Sequence, residues 1–345
     1  MKIIVDAFGG DNAPLEILKG ARRAQDQLGV RIVLAGDTEK IKACAAENKI
    51  RLEGMELLHA PAVFDMDYDP VSVMKEHGDT SMAIGLKALA DKENGYDAKA
   101  SKYDAFVSAG STGALLVGAT LMVKRIRGVR RAAIGAVMPG ASAPFLLLDA
   151  GANTECTAEM LVNFAVLGSV YARKVLGIES PRVALANNGT EETKGDPLRQ
   201  ETYRALKELP GINFTGNIEA REIPLGGCDV VVADGFTGNI ILKLYEGVGK
   251  MISGRLKKMF LTPFGIFGAL FVARGLLQMK KQTDYKEYGG APLLGINGVV
   301  IKAHGSSDAK AIFTAIRQAK QCVEGDMVGA IKAHFGKNTE HNNLS

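Results

Sequence analysis

The same short unit recurs along this chain: an apolar run of strand length, a polar turn containing glycine, and a helical segment. It is clearest where the run that starts at Val183 ends in Asn187, Asn188 and Gly189, before a helix that Pro197 opens. Repeated strand–turn–helix units predict a largely parallel sheet with helices on both faces. The pattern therefore restricts the fold to the α/β class.

The turns share a second property, because each precedes a helix and offers backbone N–H groups and the helix dipole to an anion. They are Gly9–Asp11, Gly110–Gly113, Gly189–Lys194, Gly235–Asn239 and Gly305–Ser307. Open α/β sheets bind ligands beyond the carboxyl ends of their strands. Lys194 adds a mobile cation suited to an anion or a developing oxyanion. Taken alone, the loop at Lys194 is equally consistent with a solvated surface loop, but the repeated turns predict a phosphate-sized substrate.

Length and patterning predict one α/β domain over residues 1–335 and a polar tail over 336–345. The chain has no P-loop fingerprint, no dinucleotide fingerprint in its first turn and no G-x-S-x-G elbow. We therefore expect no cofactor. The net charge of +4 argues against a nucleic-acid partner.

The four cysteines stand far apart, which predicts neither a metal site nor a disulfide framework. The amino terminus enters a strand without the layout of a signal peptide, so we expect a cytoplasmic protein. Cys156 lies close to a predicted helix start, where its pKa could be lowered. A buried inert thiol is the alternative, and its position favours that interpretation.

One segment, which we call the arm, spans about residues 255–281 and combines basic and apolar residues. No acidic residue occurs between Glu246 and Asp284, and basic residues flank the uncharged run 259–273. That run is too short and too interrupted to span a bilayer, but it suits an anionic membrane interface. A core helix or an oligomer interface is the alternative. The apolar residues predicted to contact the membrane are Leu261, Phe264, Phe267, Leu270 and Phe271.

Several motifs together resemble the acyl-acyl carrier protein:phosphate acyltransferases of bacterial phospholipid synthesis. They are Asp-Ala-Phe-Gly-Gly-Asp at 6–11, Ser-Ala-Gly-Ser-Thr-Gly at 108–113, Leu-Asp-Ala-Gly-Ala-Asn at 148–153, Gly-Thr-Glu at 189–191, Lys-Gly at 194–195, Asp-Gly-Phe-Thr-Gly-Asn at 234–239, Tyr-Gly-Gly-Ala-Pro-Leu-Leu-Gly at 288–295 and Lys-Ala-His-Gly-Ser-Ser at 302–307. The resemblance covers nearly the whole chain. Departures from the family pattern occur at Phe8, Ser111 and Asn188.

The resemblance implies a three-layer α/β/α sandwich like that of isopropylmalate dehydrogenase and the phosphotransacetylases. It implies a homodimer that transfers a fatty acyl group reversibly from acyl carrier protein to inorganic phosphate. It also implies peripheral association with the inner face of the cell membrane, where a downstream acyl phosphate:glycerol-3-phosphate acyltransferase consumes the product. The family's catalytic lysine and asparagine correspond to Lys194 and Asn239.

The remaining candidate residues follow from the turns and from the basic start of the arm. Candidates for binding phosphate or the acyl group are Gly9, Gly10, Asp11, Ser111, Thr112, Gly113, Asn187, Gly189, Thr190, Asp234, Thr237, His304 and Ser306. Candidates for binding the acidic carrier protein are Arg255, Lys257 and Lys258. The residues do not decide which of Lys194 and Asn239 contacts phosphate and which contacts the thioester oxygen.

Two other functions remain open from the sequence. One is a soluble enzyme, similar to phosphotransacetylases, that uses acyl-coenzyme A. The arm disfavours it, since such an enzyme has no need of an apolar segment with basic flanks. The other is a non-catalytic membrane scaffold for acyl carrier protein, which the polar turns at the strand ends disfavour.

Overall fold

The computed structural model describes residues 1–91, 102–262 and 288–341, together with 268, 271, 272, 274 and 275. In its first half the elements are β1 (Lys2–Asp6), α1 (Leu15–Leu28), β2 (Arg31–Gly36), α2 (Thr38–Glu47), β3 (Glu56–His59), α3 (Ser81–Ala90), β4 (Ala105–Ser108), α4 (Thr112–Gly118), β5 (Ala133–Met138) and β6 (Phe145–Leu148). The second half contains α5 (Ala158–Lys174), β7 (Arg182–Asn187), α6 (Pro197–Glu208), β8 (Asn213–Glu219), β9 (Val230–Val232), α7 (Gly235–Phe260), β10 (Ala291–Leu294), β11 (Val299–Lys302), α8 (Ala309–Glu324) and α9 (Met327–His341).

The described strands form one eleven-stranded sheet in the order β3-β2-β1-β4-β11-β10-β5-β6-β9-β7-β8. Strands β3, β2, β1, β4 and β11 are parallel to one another, and so are β6, β9, β7 and β8. Between these two groups, β10 pairs antiparallel with β11 and β5, and β5 pairs antiparallel with β6. The two parallel groups therefore run in opposite directions. The prediction of a largely parallel sheet is confirmed, with a central reversal that the sequence analysis does not anticipate.

The core lies on both faces of this sheet, because successive strand residues point to opposite sides. Ile3 and Val5 join one apolar cluster, with helices α1, α5, α8 and α9, whereas Ile4 joins the other, with α3 and α4. Both clusters consist of residues that are almost fully buried. This arrangement confirms the predicted three-layer α/β/α sandwich.

Short polar side chains begin most of the helices. Asp37, Thr80, Ser111, Thr157, Asp196, Asp234 and Asp308 each accept a hydrogen bond from a backbone N–H in the first turn of the helix that follows. Such caps satisfy N–H groups that have no partner within the helix. The cap of α8 is Asp308 rather than either of the two serines before it, Ser306 and Ser307. Ser307 Oγ donates instead to the His304 carbonyl oxygen and closes the preceding turn.

Helices α7 and α9 have features that the sequence analysis does not anticipate. Apolar residues of α7 recur at helical spacing but are exposed: Leu244, at 66%, and Val248, Met251 and Ile252. Helix α9 continues to His341, within the stretch 336–345 that polarity predicted as a tail. Across the described ranges, no helix is long and apolar enough to cross a membrane.

Candidate active site

The loop after β7 holds Lys194 at the carboxyl end of the sheet's second parallel group. Its backbone is fixed by side chains around it: Asn187 Nδ2 donates to the Lys194 carbonyl oxygen at 3.2 Å, and Asn217 Nδ2 donates to the Glu191 carbonyl oxygen at 2.8 Å. Gln200 Nε2 donates to the carbonyl oxygens of Thr193 and Gly195. The Lys194 side chain itself is exposed, and its ammonium makes no hydrogen bond or ion pair with the described residues. A fixed backbone therefore carries a cation that is free to meet a ligand.

Of the other candidates in this loop, Asn187 is half-buried and holds the loop closed, since its Oδ1 also accepts from the Asn188 N–H at 2.8 Å. Gly189 is buried against the Lys194 and Glu191 side chains, and Thr190 is exposed. Asn187 and Gly189 thus shape the loop, while Thr190 and Lys194 present side chains to solvent.

The amino end of α7 is fixed by a buried ion pair. Asp234 caps the helix by accepting from the Thr237 N–H at 2.9 Å and from the Thr237 hydroxyl at 2.8 Å. Arg199, on α6, donates to the Asp234 carboxylate and to Thr237 Oγ1 at 3.0 Å, and also to Asp196 at 2.6 Å. Burial alone raises the pKa of Asp234, but the Thr237 donors and the Arg199 guanidinium together hold it below its ordinary value. The two candidates Asp234 and Thr237 therefore join α7 to α6.

Asn239 lies in the first turn of α7 beside the loop that follows β6. Its side-chain amide donates to the Ala150 carbonyl oxygen at 3.3 Å, which leaves one amide N–H for another acceptor. The loop is organised by Asp149, whose carboxylate accepts from the backbone N–H groups of Ile134, Gly151, Ala152 and Asn153. A Cβ at Gly238 would collide with the Asp149 carbonyl oxygen, so glycine is required for this close approach. Asn239 is exposed and held next to the loop.

The turns after β1 and β4 pack against each other at the end of the first parallel group. Asp6 is buried, and its carboxylate accepts from the Ser108 hydroxyl at 2.7 Å and from the Phe8 N–H at 3.2 Å. Gly9 fits between Asp6 and the Gly110 N–H, and the Asp11 N–H donates to the Gly305 carbonyl oxygen at 2.8 Å.

Four further candidates lie in these two turns. Gly10 has φ +98°, a conformation that favours glycine, and it approaches the Gly305 carbonyl oxygen. Ser111 caps α4, Thr112 is exposed, and Gly113 contacts the Pro70 ring. The structure therefore brings Gly9–Asp11 and Gly110–Gly113 to one edge of the sheet.

The end of β11 completes this edge. His304 Nδ1 lies 2.9 Å from Ser306 Oγ and 3.2 Å from the Ser306 backbone nitrogen. Burial is the largest cause that lowers the pKa of His304, and the positive charge of Lys243 is the next. Lys302 and Lys250 also lower this pKa, whereas the negative charge of Glu246 raises it. At neutral pH the imidazole is therefore uncharged and surrounded by lysine ammonium groups, an environment that favours an anion.

The effect of Lys243 and Lys250 on His304 also shows how the two groups of strands meet. Both lysines lie on α7, which follows β9 in the second parallel group, whereas His304 follows β11 in the first. Helix α7 therefore extends from the end of β9 to the neighbourhood of His304, at the end of β11. No hydrogen bond links Lys194, Asn239 and His304 to one another within the described ranges.

Cys156 lies beside the same loops, and the structure favours the inert interpretation of its thiol. Burial raises its pKa to about 11, and the nearby Asp149 and Asp234 charges act in the same direction. Its Sγ lies 3.5 Å from the Asn153 carbonyl oxygen. The group is therefore protonated at neutral pH.

The candidates of the arm that the structure describes are exposed to solvent. Arg255, Lys257 and Lys258 are exposed in the last turns of α7. Leu261 is exposed and Phe271 is 90% exposed. Phe264, Phe267 and Leu270 lie outside the described residues.

Sequence reasoning missed two charged groups at this site, Arg199 and Lys302. Arg199 stands three residues after the helix cap Asp196, a spacing that places the two side chains on one face of a helix. Lys302 ends the apolar run Val299–Ile301, and a lone charge at the end of a buried strand was the available signal. In the described part of the chain, no cluster of three or more His, Cys, Asp and Glu side chains is arranged to hold a metal ion.

Comparison with solved structures identifies the fold. A phosphotransacetylase from Streptococcus pyogenes superposes with a TM-score of 0.62 at 17% identity, over 94% of each chain. The EutD phosphotransacetylase from Staphylococcus aureus gives a TM-score of 0.60 at 18% identity, again over 94% of each chain. The chain thus has the α/β/α fold of the phosphotransacetylases.

Sequence comparison then gives the family. Residues 1–329 match the family model described as "Fatty acid synthesis protein". Proteins named phosphate acyltransferase are 45% identical over 96% of both chains in Thermoanaerobacter pseudethanolicus, and 43% identical over 98% of this chain and 99% of the relative in Desulfitobacterium hafniense. The chain belongs to this family of phosphate acyltransferases, and it is an acyltransferase. The non-catalytic scaffold considered from the sequence is therefore wrong.

Proposed function

We propose that this enzyme transfers a fatty acyl group from acyl carrier protein to inorganic phosphate, and that the acyl phosphate enters phosphatidic acid and phospholipid synthesis. The observation that carries the proposal is the free ammonium of Lys194 on a loop whose carbonyl oxygens are held by Asn187, Gln200 and Asn217. A cation carried on a fixed loop at the end of a strand is placed to stabilise the negative charge that develops in the reaction. The names of the relatives support phosphate as the acyl acceptor.

The reaction requires mainly positioning and charge stabilisation, because a thioester is already activated and phosphate is already an anionic nucleophile. A phosphate oxygen attacks the thioester carbonyl carbon, the new C–O bond forms and the C–S bond breaks. The proton of hydrogen phosphate is released and neutralises the leaving thiolate. In our proposal Lys194 holds phosphate or the thioester oxygen, and the unused amide N–H of Asn239 donates to the oxyanion. Phosphate approaches from the edge formed by Gly9–Asp11, Ser111–Gly113 and His304–Ser306.

The carrier protein and the membrane are proposed to meet the far end of α7. Arg255, Lys257 and Lys258 project from its last turns into solvent and suit an acidic carrier protein. Leu261 and Phe271 follow, both exposed, which suits insertion into a lipid interface at the cytoplasmic surface. A downstream acyl phosphate:glycerol-3-phosphate acyltransferase would receive the product there.

The exposed apolar stripe of α7 is proposed to contact a second copy of the chain. Leu244, Val248, Met251 and Ile252 recur at helical spacing, and all four are exposed. Contiguous apolar surface on a helix favours a symmetric pairing with the same surface of another copy. Replacement of Leu244 and Met251 by Asp should convert the dimer to a monomer in light scattering. An unchanged mass for the folded variant would exclude this stripe as the interface.

The test of the function measures acyl phosphate formed from phosphate with either acyl carrier protein or acyl-coenzyme A as donor. We expect a larger kcat/KM with the carrier protein. A clear preference for acyl-coenzyme A would favour the phosphotransacetylase-like alternative, to which the fold is related. Absence of acyl phosphate with both donors would contradict the proposal.

A further inference from the structure

Lys302 places a positive charge inside the protein, directly beneath the edge at which phosphate is proposed to bind. The residue is only 8% exposed. Its ammonium donates to the carbonyl oxygen of Ala303 and, at 3.4 Å, to that of Ala109. These carbonyls stand immediately before Gly110 and His304, at the ends of β4 and β11. One cation thus ties together two of the turns that form the edge.

The third turn is tied to the same place through the backbone and through charge. The Asp11 N–H donates to the Gly305 carbonyl oxygen at 2.8 Å, which joins the turn after β1 to the turn after β11. The carboxylates of Asp6 and Asp11 attract the Lys302 ammonium. Asp6 is held in turn by hydroxyl groups, those of Ser108 on β4 and Ser81 on α3. The groups that act on Lys302 therefore come from β1, β4 and β11 and from the turns that follow these strands.

Burial has a measurable consequence for this lysine. Removal of the ammonium from water lowers the pKa of Lys302 to about 8, against the opposing attraction of Asp6 and Asp11. The side chain is consequently protonated at pH 7 and largely neutral above pH 9. A neutral amine has only two N–H donors and no charge, so it holds the two carbonyls and attracts an anion less strongly.

We propose that Lys302 is a positioning residue for phosphate, whose ammonium fixes the turns Gly110–Gly113 and His304–Ser306 against Gly9–Asp11 and adds positive charge beneath the bound anion. The proposal rests on the function proposed above, because it assumes that phosphate binds at this edge. It assigns Lys302 no contact with the reacting atoms. Its effect on turnover therefore arises through phosphate affinity.

Thermodynamic linkage determines whether anion binding adds a proton to Lys302 or removes one. If the protonated form binds the anion more tightly, then anion binding raises the pKa of Lys302 by reciprocity. Binding near pH 8.5 is then accompanied by proton uptake. Sulfate is the sharper probe because it does not titrate in this range, whereas phosphate changes its own ionisation near neutral pH. The lowered pKa of His304 leaves that imidazole neutral at pH 8.5, so it does not mask the effect.

The experiment measures sulfate and phosphate binding by calorimetry at pH 7 and pH 8.5, in buffers of different ionisation enthalpy. For the wild-type enzyme we expect proton uptake at pH 8.5 and weaker sulfate binding than at pH 7. For Lys302→Met, which removes the charge and keeps an unbranched side chain one atom shorter, we expect no proton uptake and about tenfold weaker binding at pH 7, the scale of one hydrogen bond to a charged group. Lys302→Arg should retain most of the affinity at both pH values.

In steady-state kinetics, Lys302→Met should raise the KM for phosphate with a smaller change in kcat. The kcat/KM for phosphate of the wild-type enzyme should decline above pH 8, and that of the variant should not. Lys42→Met is the matched control, because Lys42 is exposed on α2 and pairs with Glu39 at the surface. Sulfate and phosphate affinities that are unchanged in folded Lys302→Met would overturn the proposal. If that variant does not fold, absence of proton uptake by the wild-type enzyme overturns it equally. Normal linkage together with a failure to form acyl phosphate would contradict the proposed function instead.

Discussion

The buried ion pair between Arg199 and Asp234 leads to the most quantitative prediction. Arg199 is 16% exposed and Asp234 is 8% exposed at the side chain, and the pair joins the amino ends of α6 and α7. Arg199→Met keeps the aliphatic volume and removes the guanidinium. Asp234 then remains buried with only the Thr237 donors to compensate its charge. We expect a less stable protein in which Lys194 and Asn239 are no longer held in a common frame.

The expected decrease in the free energy of unfolding follows from the contacts that Arg199→Met removes. Removing one partner of a buried ion pair destabilises proteins by about 3–5 kcal/mol. Asp234 keeps two hydrogen bonds from Thr237, which places the expectation near the lower limit, about 3 kcal/mol. The contact with Asp196 adds little, since the Asp196 side chain is half exposed and such pairs contribute about 0–1 kcal/mol.

Urea unfolding followed by circular dichroism, at fixed protein concentration, measures this loss of unfolding free energy. Asp196→Asn is the control, because asparagine still caps α6 and only the half-exposed charge is removed. We expect that control to lose less than about 1 kcal/mol. The double variant Arg199→Met with Asp234→Asn should recover part of the stability, as no charge is then stranded.

The pH dependence of the free energy of unfolding provides an independent check on this prediction. The pKa of Asp234 lies below its ordinary value in the folded protein, so the carboxylate contributes stability above the unfolded pKa, and this contribution is lost as pH falls through the folded pKa. The difference between wild type and Arg199→Met should therefore shrink as pH falls from 7 towards 4. A loss below 1 kcal/mol at pH 7, or a difference that grows on acidification, would refute the reasoning.

Three further predictions concern catalysis and the membrane. Lys194→Ala and Asn239→Ala should each reduce kcat for acyl phosphate formation about a hundredfold with the fold intact, because each removes a preorganised charge-stabilising group; near-normal turnover would exclude that role. Cys156→Ala should keep most activity, since the thiol's pKa of about 11 leaves it protonated, and a folded but inactive variant would instead indicate a covalent acyl-enzyme. Leu261→Asp with Phe271→Asp should reduce co-sedimentation with anionic vesicles while activity on acyl carrier protein persists. Burying each of these apolar side chains in the membrane interface contributes about 1.5–3 kcal/mol. Unchanged co-sedimentation would contradict the interfacial role of the arm.

The sequence predicted those parts of the fold in which local pattern and tertiary environment agree. The runs before Gly9, Gly110 and Gly189 became strands, and the turns lie at the strand ends as expected. Strands β5, β8 and β10 were not identified, because none is a uniform apolar run followed by a glycine turn and a helix. Strands β5 and β10 also pair with each other although they are far apart in the sequence, and local pattern does not contain that information.

In the candidate site, too, local sequence pattern revealed some residues and not others. Lys194 was identified because it follows a recognisable strand and turn. Arg199 was missed, because its partners on α7 are more than thirty residues away in the chain, as the Asp234 contact at a separation of 35 shows. Leu244 and Met251 stand at helical spacing and form an apolar face, but periodicity does not reveal whether such a face is covered.

The central reversal of the sheet has a consequence for how the chain is made. Strands β10 and β11, which lie near the end of the chain, occupy the middle of the sheet between β4 and β5. Until residues 291–302 have left the ribosome, β4 and β5 each lack a neighbour, and unpaired edges of this kind favour aggregation. Release of a chain truncated after residue 288 should therefore yield insoluble material, and a soluble, protease-resistant fragment would contradict this. The order of synthesis and the spatial order of the strands therefore differ in the middle of this sheet.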